Sequence, residues 1–393
     1  MGTMDRLFQL MADKKASDIF LTVGAPINIK INGVAVPVNQ TLLNAEAVKQ
    51  LIYEVLSERQ IREYEDEMEL NTGYTLEGVG SFRISAFRQK GSPALVVRYI
   101  PSEVPAIDTL GLPDVLRDII MQKRGLVLMV GATGSGKSTS LAAMLDFRNE
   151  QKSGHILTLE DPVEFVFRNR KSIVNQREIG TDTKAFQVAL RNALRQAPDC
   201  ILIGEIRDRE AMSSALQYAQ SGHLCLATLH ANNSYHALGR ILSFYTPEAR
   251  PALLSDLASG LRAIMSQRLV RAQTGGRIPA CEVLLNTKLI AELIEQGDIS
   301  GVKEAMEKSL AEGSLTFEAD LAKMITEGTI TREEGLSFAD SPTNLLWRLA
   351  NDSAPLSRQP PKPDESDPSL FTEIILDVRP EEKVSASKFG RLA

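Results

Sequence analysis

The 393-residue chain carries 44 Lys and Arg against 50 Asp and Glu, a formal net charge of −6, with 24% charged and 43% apolar residues. These figures fit a soluble chain of two or three domains, and the negative balance argues against a general nucleic-acid-binding surface. No stretch approaches the ~20 apolar residues of a membrane span. The three cysteines, Cys200, Cys225 and Cys281, lack C-x-x-C spacing, which excludes a sequence-readable zinc site or disulfide framework and favours a reducing cytosol.

In chain order, residues 1–100 read as a small α/β domain. Asp18–Val23 predicts a strand, and Ile27–Val38 a hairpin turning at Asn32-Gly33. Glu46–Glu69 predicts one helix. Gly73–Leu76, Ser81–Arg88 and Ala94–Tyr99 predict three more strands. The doubly proline-marked I-P-S-E-V-P, Ile100 to Pro105, reads as a linker. Beyond it, Val127–Val130, Ile156–Leu159, Cys200–Ile203 and Leu224–Thr228 are strand candidates separated by helical stretches, the pattern of a mostly parallel sheet. Residues 286–349 are helix-rich. From 351 the composition turns to Pro, Ser, Asp and Lys and reads as disordered, interrupted by the apolar run Leu370–Leu376.

Four segments carry chemistry. The first, G-A-T-G-S-G-K-S-T, comprises Gly131, Ala132, Thr133, Gly134, Ser135, Gly136, Lys137, Ser138 and Thr139. It fits the phosphate-loop pattern and lies between an apolar strand and a helix-forming run, the context the motif needs. Its glycines let several N–H groups converge on a polyphosphate at a helix N-terminus. Lys137 would reach the β- and γ-phosphates and Ser138 would hold Mg²⁺, so ATP or GTP is the expected ligand.

The second segment, L-T-L-E-D-P-V-E, puts Glu160, Asp161 and Glu164 at a strand end, where a carboxylate can orient or deprotonate water. The third, C-I-L-I-G-E-I-R-D, ends an apolar run in Glu205, a Mg²⁺-supporting position, with Gly204 where an Asp is usual. The fourth, G-H-L-C-L-A-T-L-H-A-N-N, places His223 and His230 seven residues apart, a spacing that does not suggest metal. His230, at a strand's C-terminal end, is placed to sense the γ-phosphate.

Together these segments resemble the ATPase superfamily that powers type II and type IV secretion and type IV pili. The resemblance rests on the phosphate loop, the acidic I-L-T-L-E-D-P-V-E-F, D-C-I-L-I-G-E-I-R-D with its Gly204, and the histidine segment. It continues through R-N-A-L-R-Q-A-P-D and covers roughly residues 5–310. It implies a PAS-like N-terminal α/β domain (1–100), a linker (101–107), and a RecA-like P-loop NTPase domain with C-terminal helices (108–350). A largely disordered tail (351–393) would follow.

Within the superfamily the chain looks like the twitching-motility retraction ATPases, the PilT/PilU class. The four-cysteine insertion and the long extra N-terminal domain of assembly ATPases are missing. At the place of the retraction motif A-I-R-N-L-I the chain reads N-T-K-L-I-A-E-L-I, Asn286 to Ile294, which with the tail looks more like the PilU branch.

Carried over, the resemblance implies Glu164 as general base, Glu205 supporting Mg²⁺ and His230 near the γ-phosphate. Arg83 and Arg98 become candidate arginine fingers from the N-terminal domain, with Arg88 behind them. It further implies ATP and Mg²⁺ as ligands and a homo-hexamer in the cytoplasm, recruited to the inner-membrane pilus base. A sister retraction ATPase and the inner-membrane platform protein would be partners, with neither nucleic acid nor direct membrane insertion. Two other readings stay open: a nucleotide-binding adaptor that regulates another pilus motor without generating force, and a nucleic-acid motor, against which the acidic balance and the lack of a clustered basic patch weigh.

Overall fold

The computed structural model describes residues 2–31, 34–100, 103–308 and 313–352. The Asn32-Gly33 turn, the first two linker residues and Leu370–Leu376 lie outside them.

The N-terminal part runs α1 (Thr3–Lys14), β1 (Asp18–Thr22), β2 (Asn28–Ile31), β3 (Val34–Pro37), α2 (Ala45–Glu54), α3 (Glu58–Glu67), β4 (Glu69–Leu76), β5 (Gly80–Gln89) and β6 (Ser92–Ile100). Its six strands pair antiparallel in the order β3-β2-β1-β6-β5-β4. Period-two alternation turns Phe82, Ile84 and Ala86 of β5 inward, against Met4 and Phe8 of α1 and Ile52 of α2. The same alternation puts Arg83 on the opposite face. Its register partner on β6 is Arg98.

The single helix expected over Glu46–Glu69 is two. Ser57 accepts the Gln60 N–H, and the Gln60 side chain returns to the Ser57 N–H at 2.9 Å. This capping box starts a new helix in mid-run, and Glu69 already belongs to β4.

The second part runs α4 (Val115–Ile120), β7 (Gly125–Val130), α5 (Lys137–Gln151), β8 (Gly154–Glu160), β9 (Ser172–Glu178), α6 (Phe186–Ala193), β10 (Cys200–Ile203), α7 (Arg209–Gln220), β11 (Leu224–Leu229) and α8 (Ser234–Ser243). It continues through α9 (Arg250–Gly260), β12 (Leu261–Arg271), β13 (Arg277–Leu285), α10 (Lys288–Gln296), α11 (Ile299–Glu307), α12 (Phe317–Thr326), α13 (Arg332–Phe338) and α14 (Pro342–Asp352). The seven strands form one sheet, β13-β12-β7-β11-β10-β8-β9, parallel except for the β12–β13 pair.

Every residue of β7 is buried, as befits a central strand covered on both faces. Leu126, Leu128 and Val130 pack under α6 to α11, whereas Val127 and Met129 pack under α4 and α5. Cys200 and Cys225 are buried in these cores, and burial pushes both thiols well above the ordinary range, Cys200 to about 12.

Three strands lie beyond the four expected. β9 is an edge strand with polar residues, and β12 and β13 form an antiparallel ribbon whose buried Ser266, Gln267 and Glu282 break the apolar pattern. The altered 286–294 segment begins in a tie and continues as a helix. The Asn286 side chain donates to the carbonyls of Ala258 and Leu261, and Thr287 caps α10, which buries Ile290 and Ile294.

Candidate functional site

The site lies at the C-terminal ends of β7, β8, β10 and β11, where the loops of a parallel sheet leave a crevice. A cavity of about 350 Å³ opens there, lined by Thr133, Lys137, Ser138, Glu164, Glu205 and His230 among others. These sequence-predicted residues are therefore brought together.

The phosphate loop leaves β7 at Gly131 (φ 150°) and enters α5 at Gly136 (φ 88°), backbone angles that disfavour side chains. α5 has no side-chain cap, so its first N–H groups are open to an anion. Lys137 folds back over the loop and its Nζ donates to the carbonyls of Gly131 (2.9 Å) and Ala132 (2.8 Å). Burial lowers the Lys137 pKa, with the Glu205 and Glu164 charges opposing.

A residue that the sequence did not disclose braces this loop from β12. Gln267 donates through Nε2 to the Ser135 carbonyl (2.9 Å) and accepts from the Ser140 hydroxyl at Oε1 (2.7 Å). A Cβ at Gly131 would come within 2.6 Å of the Gln267 carbonyl, and one at Gly136 within 2.7 Å of its Nε2. The glycines thus serve close packing against β12 as well as backbone freedom.

The three carboxylates after β8 divide by environment. Glu160 is half-buried, accepts from the Thr158 hydroxyl (2.6 Å) and Gln176 Nε2 (3.2 Å), and has its pKa raised chiefly by desolvation. Asp161 lies 3.5 Å from Arg207. Glu164 is exposed and lines the cavity.

After β10, the Gly204 N–H donates to the Leu159 carbonyl at 2.8 Å. A Cβ there would stand 3.0 Å from that oxygen and 3.3 Å from the Glu160 Cα, which is a steric reason for glycine. Both Glu205 oxygens are engaged: Oε2 by Arg207 Nε (2.7 Å) and Oε1 by His230 Nε2 (3.1 Å). Arg207 was not singled out in the sequence, although it stands inside the motif G-E-I-R-D, a signal that could have found it. The other motif histidine, His223, lies 3.3 Å from the Tyr218 carbonyl through Nδ1.

The arginine candidates separate. Arg83 is partly buried on β5, its Nε has no hydrogen-bond partner, and its pKa is lowered by burial, with Glu164 the leading opposing charge. Arg98 donates to Asp18 at 2.9 Å and is largely exposed. Arg88 pairs with Glu65 within the N-terminal part and lies over the Tyr64 ring.

The residues present fit a nucleotide with its cation. The cavity, the uncapped helix start, a lysine held only by loop carbonyls and the buried, unpartnered Ser135 hydroxyl suit a phosphate chain. Ser138 and Glu205 are hard oxygen donors. No cluster of three or more His, Cys, Asp or Glu suited to a metal occurs among the described residues. Mg²⁺ at such sites is bound mainly through substrate phosphates, water and one or two protein oxygens. No helix among the described residues is long and apolar enough to cross a membrane.

Comparison with known proteins gives consistent matches. The family model described as type II/IV secretion system protein matches residues 3–334. The type IV pilus ATPase PilU of Pseudomonas aeruginosa is 45% identical over 89% of this chain and 92% of its own length. The type IV pilus retractation ATPase PilT of the same organism is 38% identical over 86% and 98%. Among solved structures, the pilus retraction motor PilT with bound ADP superposes with a TM-score of 0.82 at 38% identity, covering 87% of this chain and 98% of that one. The Legionella pneumophila ATPase DotB gives 0.74 at 27% identity, covering 84% and 93%.

Proposed function

The chain belongs to the type II/IV secretion system protein family, and on that premise we propose that it is a hexameric ATPase that supports type IV pilus retraction beside a sister motor. It is an ATPase of the PilT/PilU class. The observation that carries the reading is the convergence of Lys137, Ser138, Glu164, Glu205 and His230 on one cavity.

The loop N–H groups from Gly134 to Thr139 donate to the phosphate oxygens of ATP, and Lys137 exchanges two carbonyl acceptors for the phosphate chain. Anionic oxygens favour the charged ammonium more than neutral carbonyls do, which makes the exchange favourable. Bound Mg²⁺, held by Ser138 and supported by Glu205, supplies charge neutralisation at the phosphates. Glu164 accepts a proton from the attacking water as general base. His230, tied to Glu205, keeps that carboxylate oriented and lines the same cavity, from which it would reach the γ-phosphate.

Arg83 completes the site. A half-buried guanidinium with an unpaired Nε is an unsatisfied donor, and charge developing on the transferred phosphoryl group satisfies it. An arginine in that role is worth about 10³–10⁵ in rate. Hydrolysis then depends on the approach of the N-terminal domain, and closure and opening about the segment between β6 and α4 provides the stroke. The ATP sites lie at subunit junctions of the ring, which works in the cytoplasm at the inner-membrane pilus base against the platform protein.

The test is complementation. In a strain lacking this protein, wild type restores twitching and Lys137→Ala does not. Restoration by Lys137→Ala would instead support the adaptor reading, in which the protein regulates another pilus motor. Specific ATPase activity also rises with protein concentration as rings assemble; constant activity across the dissociation range would count against shared sites.

A further inference from the structure

Glu178, the last residue of β9, belongs to no motif singled out by the sequence, yet three segments meet at its side chain. Its Oε2 accepts the backbone N–H of Val163 at 3.0 Å. Val163 immediately precedes Glu164, so this bond fixes the chain at the point where the cavity-lining carboxylate departs. Its Oε1 accepts the Thr181 hydroxyl at 3.0 Å, and its own N–H donates to Asp182 Oδ2 at 2.8 Å, which closes the turn after the strand. Both oxygens and the main chain are thus committed to fixed partners.

The third segment comes from the N-terminal sheet. A Cβ at Gly73 of β4 would stand 3.5 Å from Glu178 Oε1, so the β4 backbone passes near this carboxylate, with room for about one side-chain atom between them. Gly73 is the register partner of Arg83 on β5. Glu164, Glu178 and Asp161 all act on the Arg83 guanidinium as attractive charges. Glu178 therefore touches the loop that bears Glu164 and adjoins the sheet that bears Arg83.

We propose that Glu178 is a positioning residue for hydrolysis: it sets the Glu164 loop through the Val163 N–H and presents a negative charge at the edge of the N-terminal sheet beside Arg83. The inference rests on the reading of Glu164 as general base. One carboxylate then coordinates the water-activating loop with the approach of the N-terminal domain. The phosphate loop is not among its partners, so its loss should act on turnover rather than on nucleotide affinity.

The experiment is steady-state ATP hydrolysis by the purified full chain and its Glu178→Ala, Glu178→Gln and Glu164→Gln variants. ADP affinity and thermal unfolding are measured on the same samples. A displacement of about 1 Å in a catalytic group can cost ~10²-fold, so Glu178→Ala should lower kcat by about 10–100-fold and leave KM within about twofold. Glu178→Gln keeps a carbonyl oxygen for the Val163 N–H but loses the charge beside Arg83, and should recover part of that loss.

Wild-type kcat in Glu178→Ala overturns the proposal. So does a Gln variant as impaired as the Ala variant, because the Val163 bond is then not what matters. If Glu178→Ala does not fold, Glu178→Asp replaces it: the charge stays, the reach shortens by one methylene, and kcat should still fall at constant KM. Wild-type turnover in Glu164→Gln sinks the general-base reading itself. Loss of turnover in Glu164→Gln with unchanged Glu178 variants sinks only the role of Glu178.

Discussion

Replacing Gln267 by leucine tests how β12 supports the phosphate loop. Gln267 and Ser140 are each 2% exposed, and Gln267 bridges the Ser135 carbonyl and the Ser140 hydroxyl. Leucine has similar bulk but can make neither bond. Leaving a buried polar group without its partner costs about 1–3 kcal/mol, so two such groups cost about 2–6 kcal/mol. The Ser135 half falls on the phosphate loop. Loss of roughly 1 kcal/mol of its pre-organisation should weaken ADP binding about five- to tenfold.

Urea unfolding and displacement of a fluorescent ADP analogue measure the two effects. The second site supplies an internal control. In the Gln267→Leu background, Ser140→Ala removes the orphaned hydroxyl and should restore about half of the lost stability, without restoring affinity. Wild-type stability and affinity in Gln267→Leu would refute the reasoning. So would a double variant less stable than the single one.

Gly204→Ala forces its Cβ against the end of β8 and should cost about 1–3 kcal/mol, with kcat falling more than KM rises, since the shifted backbone leads into the Glu164 loop; an unchanged melting temperature and kcat would contradict this. Arg83→Ala should lower kcat by about 10³-fold or more at preserved ADP affinity, whereas Arg98→Ala, whose side chain is held by Asp18, should lower it less; equal losses would remove the distinction. Glu282, buried and held by the Ser234 N–H and the Ser266 hydroxyl, has its pKa raised by burial. The native state therefore holds this proton more tightly than the unfolded state, and the group's contribution to stability declines as pH rises from about 4.5 through its native pKa. Glu282→Gln should consequently gain stability relative to wild type as pH rises above about 4.5 in thermal unfolding; a relative loss would reverse the sign.

The parts of the site built from local sequence were legible. The phosphate loop announces itself because glycines, lysine and serine must be adjacent for the backbone to wrap an anion. Glu205 and His230 stood out because each closes an apolar run, and Glu164 because it belongs to a cluster of carboxylates just past another; strand ends in a parallel sheet converge. What escaped detection was cooperation across distance. Gln267 reaches the loop from a strand 132 residues away, and nothing in L-R-A-I-M-S-Q-R-L-V-R marks it. Glu178 acts through a main-chain N–H, a contact that leaves no compositional trace. The helix expected over Glu46–Glu69 failed at Ser57, where a capping box outweighed the continuing helical composition. The two arginine candidates looked alike in sequence; the pairing of Arg98 with Asp18 and the unpartnered Nε of Arg83 set them apart.

The central claim is that one composite site, with Lys137 on the phosphates and Glu164 on water, turns over ATP. Phosphate release by the purified full chain, compared with Lys137→Ala and Glu164→Gln at saturating ATP and Mg²⁺, tests it most directly. The account predicts turnover by the wild type and loss of it in both variants, with ADP binding lost only in Lys137→Ala. Undiminished phosphate release by Lys137→Ala would contradict it.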